Sequence, residues 1–315
     1  ASILAVCCTR ENAAVEEPAR VAVSFRLASY SKAEPFSDAA LTSVDLLVFC
    51  AGGGLDTYGR ADGGSAVTLG VVKGQPLNWY AVVNAPEGAL CDVATEEEFL
   101  SRRALLADCS ADSFIMCGSG SGSFDSPASR VVGVDRCVCR VDLKKLEIAF
   151  NPGSVMRLDR ICLINAVGSI PYSMIPSASL WYNTMGPDEN LQPPVSYLLT
   201  DVRNIEFEDF PSSRELESSC FACPNPVDNG VDCSAVPWWT PRNTRLVVET
   251  TIGGVKNYYP LTLPAMKPNY RYTVDKLVLL GYGSASPDIP VKRESLSWTI
   301  TVNPWGSETI EKTMN

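Results

Sequence analysis

Residue types able to do covalent chemistry are scarce in this 315-residue chain, and their spacing limits them further. It contains no histidine. That removes Ser-His and Cys-His nucleophile pairs and most catalytic zinc sites. Cys220-x-x-Cys223 with Cys233 has most of a zinc knuckle's spacing and lacks a fourth ligand, so a local disulfide is the expectation there. The carboxylates Glu206, Glu208 and Asp209 form the stretch EFEDF. A facing pair of acids could hydrolyse a glycoside, but this spacing reads as the solvated side of a strand or turn. Gly52 to Gly54 is followed by neither Lys-Ser/Thr nor a helix and is no phosphate loop. Trp238-Trp239, between Pro237 and Pro241, could stack on a sugar, and reads better as a plug at a domain interface. No catalytic residue, cofactor or metal is expected.

Composition sets the frame for these residues. The net charge of −10 disfavours a phosphate backbone as partner and gives no electrostatic docking on anionic lipid. Twenty-two glycines and twenty-two prolines predict many turns and short strands. Within the apolar runs LLVFC and ICLI, Cys50 and Cys162 read as small hydrophobes. Cys137 and Cys139, as C-x-C on a strand, share a face.

The alternation is legible in several places. Val21, Val23, Phe25 and Leu27 alternate with Ala22, Ser24, Arg26 and Ala28, which predicts a half-buried first strand over 21–28. Ser43 to Cys50 predicts a strand buried on both faces, with a hairpin partner beyond Ala51-Gly52-Gly53-Gly54. Leu77 to Asn84 predicts another. Thr95 to Ala107 predicts a helix, capped by Thr95 and favoured at its start by Glu96 to Glu98. Gly118 to Ser126 reads as a loop tip. From Arg136 to Phe150 the alternation breaks at Lys144-Lys145, as at a β-bulge. Strands are expected at Arg160 to Ala166, Thr244 to Ile252, Tyr270 to Leu280 and Leu296 to Val302, and short unplaced ones between 171 and 243.

The C-terminal run NYRYTVDKLVLLGYGSASPDIPVKRESLSWTITVNPW resembles the last strands of the fimbrillins, the type V pilins of Bacteroidales-type bacteria. The Arg/Tyr-rich strand start, the G-x-G turn, the Pro-bounded loop and the terminal V-x-x-W carry that resemblance. SVDLLVFCAGGGL, the Val-Val-Asn-Ala ending and Phe114 to Gly118 add to it. It implies an all-β fold of two tandem transthyretin-like β-sandwiches, with one short helix in the first. The expected divisions are 1–20, a lipoprotein signal remnant and polar linker; 21–135, the first sandwich with its removable strand; and 136–315, the second with a donor-type tail. The start ASILAVCC is similar to the end of a lipoprotein signal peptide, with Cys7 or Cys8 as lipid acceptor and the outer membrane as the anchoring surface.

The resemblance also implies a mechanism. A trypsin-like protease would cut after Lys32, before Ala33, where the family usually carries Arg. Arg20 and Arg26 are the other basic residues nearby, and Arg26 lies within the strand. Removing Val21, Val23, Phe25 and Leu27 would open a trough for a strand from a neighbouring fimbrial subunit. This chain's own donor face would be Ile310 and Met314. The protein would then be an adhesive building part of a cell-surface fimbria and not an enzyme. The alternative is a surface lipoprotein that binds host glycan or protein and never polymerises.

Overall fold

In a computed structural model the described residues are 18–29, 41–184, 196–227, 243–289, 291 and 295–305. The first half contains β1 (Arg20–Ser29), β2 (Ser43–Cys50), β3 (Leu55–Asp62), β4 (Ala66–Val72), β5 (Leu77–Val83), α1 (Glu96–Ser101), β6 (Arg103–Leu105), β7 (Met116–Gly122) and β8 (Ala128–Arg136). Strands β3-β2-β5-β7 form one antiparallel layer and β4-β1-β8 the other. The layers join where Met116 and Cys117 of β7 pair with Arg136 and Asp135 of β8. Between them pack Val23, Phe25, Leu46, Val48, Val71, Trp79 and Val132. The opposite face of β2 is covered too, because Phe49 meets Phe99 of α1 at 6.0 Å between ring centroids.

The second half contains β9 (Cys139–Ile148), β10 (Met156–Ile164), β11 (Ala166–Val167), β12 (Ser169–Pro171), β13 (Trp181–Tyr182), α2 (Ser196–Leu199), β14 (Thr200–Phe207), β15 (Ser212–Ala222), β16 (Arg245–Ile252), β17 (Val255–Thr262), β18 (Tyr270–Leu279) and β19 (Leu296–Pro304). Its layers are β14-β10-β16-β17 and β15-β9-β18-β19. Substituting β14, β10, β16 and β17 for β3, β2, β5 and β7 reproduces the first layer. Substituting β15, β9 and β18 for β4, β1 and β8 reproduces the second. In each half the first strand is parallel to one neighbour and antiparallel to the other. The molecule is therefore the same sandwich built twice, with β19 as an addition that has no counterpart among the described strands of the first.

Buried carboxylates tie the strands laterally. Asp142 on β9 accepts from Arg140 at 2.7 Å, from Ser219 on β15 at 2.7 Å, and from Arg271 on β18. Glu249 on β16 accepts from Arg160 on β10 at 2.5 Å and from Lys256 on β17. Asp45 on β2 accepts from Tyr58 and Arg60 on β3, each at 2.6 Å. A carboxylate taken out of water is tolerated only when paired and hydrogen-bonded in this way.

The two sandwiches meet at a seam of aromatic rings. Phe114 from the first lies 4.9 Å from Phe221 and 5.6 Å from Trp305 of the second. The Arg136 guanidinium sits 4.4 Å over the Trp305 ring, a cation–π contact in a desolvated place. Short β6 crosses the seam to pair with β12, Arg103 opposite Pro171.

Several expectations change. The helix is six residues long: Thr95 caps it, its hydroxyl accepting from the Glu98 amide at 3.2 Å, and it ends at Ser101. Residues 103–105 are drawn out of it by pairing with β12. The stretch Gly118–Gly122 is strand, part of β7, rather than loop tip. Glycine is needed there because a Cβ on Gly118 would lie 1.9 Å from the Gly133 carbonyl oxygen. One on Gly120 would lie 2.6 Å from the Trp79 indole nitrogen. The break at Lys144-Lys145 is real. Buried positions shift from Val141 and Leu143 to Leu146 and Ile148, while β15 and β18 carry the extra residues of the bulges. The span 171–243 holds β14 and β15, the latter eleven residues long. Glu206, Glu208 and Asp209 are exposed at the end of β14 and its turn.

Cys220 and Cys223 are both buried free thiols, which replaces the expected local disulfide. Cys137 and Cys139 are also buried and free. Burial pushes the Cys109 thiol up to about 11 and the Cys117 thiol up to about 12. These sulfurs fill core space as small apolar groups.

Two outcomes are expected. Gly118→Ala will lower stability to urea by about 2 kcal/mol or more, since the clash is with backbone. Gly122→Ala, where a Cβ would meet Trp79 at an ordinary 3.4 Å, will cost far less; equal midpoints would refute this account. In native protein at mildly alkaline pH, iodoacetamide will label exposed Cys91 and spare Cys109, Cys117, Cys137, Cys139, Cys220 and Cys223 until denaturant is added. Peptide mapping reads the result.

Candidate functional site: the first strand and its seat

β1, the first strand among the described residues, lies in the middle of its layer. From Arg20 to Arg26 it pairs antiparallel with β4, Val72 to Ala66. From Val23 to Ser29 it pairs parallel with β8, Ala128 to Val134. The Leu27 amide adds a bond to the Ser65 carbonyl at 2.7 Å. Without β1, both β4 and β8 would present a row of backbone donors and acceptors with no partner, and that is a template for another strand.

The inward side chains are those the alternation picks out. Val23 is 0% and Phe25 1% exposed, with Val21 and Leu27 half-buried. Phe25 packs 5.5 Å from Trp79 and 6.2 Å from Phe124, and those two rings are 5.5 Å apart. Burying Val23 and Phe25 stabilises the seat by roughly 3–6 kcal/mol, at about 1.5–3 each. The floor of the seat is therefore aromatic, with Trp79 accommodated by the glycines of β7.

A charged clasp closes one end. Arg20 donates to Asp56 Oδ1 from Nη1 at 3.0 Å and Nη2 at 2.8 Å, and to the Asp56 carbonyl at 2.9 Å. Asp56 Oδ2 accepts from the Val72 amide at 3.0 Å. The pair holds β1 to β3 across β4. Arg20 is substantially exposed, so the pair aligns the strand more than it stabilises it.

Sequence reasoning finds Val21, Val23, Phe25 and Leu27, and the structure brings them together on one face of β1. It misses Asp56, Trp79 and Phe124, which lie far along the chain and carry no local signal. Cys7, Cys8, Lys32, Ala33, Trp238, Trp239, Cys233, Ile310 and Met314 lie outside the described residues. Among the described residues no cluster of three or more metal-ligating side chains occurs.

No protein-family model matches the chain, and no curated protein sequence matches it significantly. Solved structures do match in fold over nearly the full length. A putative cell adhesion protein from Bacteroides eggerthii aligns with a TM-score of 0.69 at 17% identity, covering 91% of this chain and 97% of that one. A fimbrilin from Porphyromonas gingivalis aligns at 0.62 and 15%, covering 90% and 97%. The tip fimbrial protein of the same organism, with C-terminal truncation, aligns at 0.55 and 13%, covering 91% and 100%. The fold of this chain is that of the fimbrilins and cell adhesion proteins of these bacteria, two β-sandwiches in tandem.

Proposed function

We propose that this protein is a structural subunit of a cell-surface fimbria that contributes to adhesion and assembles by strand exchange. The observation that carries the reading is the position of β1, the first of the described strands yet paired on both edges. The fold shared with a fimbrilin and a tip fimbrial protein supports it. Export as a lipoprotein on Cys7 or Cys8 brings the precursor to the outer membrane. A trypsin-like protease then cuts between Lys32 and Ala33. The released β1 leaves its seat between β4 and β8 open to a strand from the next subunit, and this chain's residues around Ile310 and Met314 serve as such a strand in turn.

The seat sets what an incoming strand must offer. It needs apolar side chains two residues apart to replace Val23 and Phe25 on the Trp79–Phe124 floor. An incoming strand of either polarity meets one antiparallel and one parallel neighbour, because β4 and β8 run oppositely beside β1, and only one running as β1 does reproduces both native ladders.

Limited trypsin digestion of the folded precursor tests this. The expected result is one early cut after Lys32 with Arg20 and Arg26 spared, since both lie in a paired strand. A ladder of oligomers surviving unboiled denaturing electrophoresis should follow. A resistant monomer, or a cut without a ladder, would sink self-assembly. Phe25→Asp should release the cut strand without restoring a stable monomer.

A further inference from the structure

The two sandwiches stand head to tail. β1 and the parallel β8 finish at the seam, while their counterparts β9 and the parallel β18 start there, since Cys137 and Val138 join β8 to β9 and the Asn269 amide donates to the Val138 carbonyl at 3.0 Å. Each sandwich therefore has a leading end, where its β1-type strand finishes, and a trailing end, where that strand starts. The seam is the leading end of the first sandwich packed on the trailing end of the second. The leading end of the second and the trailing end of the first are left over.

The leading end of the second sandwich gathers four connections: 149–155, 208–211, Gly253-Gly254 and the chain leaving β18 at Leu280. Register sets them side by side. Met156 is opposite both Phe207 and Ile252, and the Ala149 amide donates to the Leu279 carbonyl at 2.8 Å. Val155, Val255, Leu280 and Tyr282 are all exposed there. Tyr282 is fixed in place, its ring 5.5 Å from Phe150 and its hydroxyl donating to the Pro152 carbonyl at 2.8 Å. Exposed apolar side chains concentrated in this way mark a contact surface.

We propose that this leading end docks on the trailing end of the first sandwich in a second copy of the chain, repeating between molecules the relation that the seam makes within one. Continuity with the seam names the occupant, because the same end of the same fold is already covered by a sandwich in the first half. The trailing end of the first sandwich suits the patch. It is built of low turns, Ala51 to Gly54, Lys73 to Pro76 and Ser123 to Pro127, and none of the exposed large apolar residues among the described ones lies on it. Charge agrees: Glu208 and Asp209 are exposed on the leading end, and Lys73, with Asp125, is exposed on the trailing end. Two different surfaces meeting in this way build an open chain of copies. The contact rests on the assembly reading above for its neighbouring copy, and adds to it a surface outside the seat of β1.

The test uses the full chain, cleaved by trypsin and allowed to form its ladder, with the photoreactive p-benzoylphenylalanine in place of Tyr282. Irradiation should join position 282 to residues 51–54, 73–76 or 123–127 of another molecule, identified by peptide mapping. A ladder whose cross-links land elsewhere on the neighbour, or do not form, would overturn the contact and leave assembly standing. If the unsubstituted chain forms no ladder, the assembly reading fails and the contact fails with it. A matched pair of variants gives a second reading. Val255 on the leading end and Val202 on the flank of the same sandwich are each 65% exposed. Val255→Asp should slow ladder growth several-fold and Val202→Asp should not; equal rates would also overturn the proposal.

Discussion

A strand inside a sheet has two edges to satisfy, and every backbone group on both must find a partner or water. Most of what is distinctive about this molecule follows from placing the first strand of each sandwich in that interior position. β9 holds its place because chain leads into and out of it, and its buried Asp142 binds arginines on its own strand and on β18. β1, the first strand among the described residues, is held by two ladders, two fully buried side chains and the Arg20–Asp56 clasp. The same element is thus permanent in one copy of the fold and separable in principle in the other.

The sequence is readable wherever one face of a strand is apolar and the other wet. Val21 to Leu27 and Leu296 to Val302 announce themselves in this way, and β2 does so by being apolar throughout. β15 does not, because its inward residues Ser218, Cys220 and Ala222 are small or polar, so burial leaves no periodic trace. β7 hides for a different reason. Its glycines look like loop punctuation but make room for the Trp79 ring and the Gly133 carbonyl. The helix beginning at Glu96 is overestimated because residues 103–105 have helix-compatible types and are claimed by a strand from the other sandwich. Tertiary pairing overrides local preference there.

The candidate site shows the same division. Its strand is legible, because amphipathic alternation is a local property. Its floor and clasp are not, because Trp79, Phe124 and Asp56 become neighbours of β1 only through the sheet order. A lone aspartate in a hairpin reads as surface charge until the arginine thirty-six residues away is seen beside it.

The passage from β8 to β9 takes two residues, Cys137 and Val138, and both are fixed: the Cys137 amide donates to the Ile115 carbonyl at 2.9 Å, and the Val138 carbonyl accepts from the Asn269 amide at 3.0 Å. With the Phe114–Phe221–Trp305 rings packed beside them, the joint has no slack to act as a hinge. The two sandwiches would bend and twist as a single beam. In any filament made of such units, compliance would reside in the contacts between molecules, and each monomer would set a rigid step length.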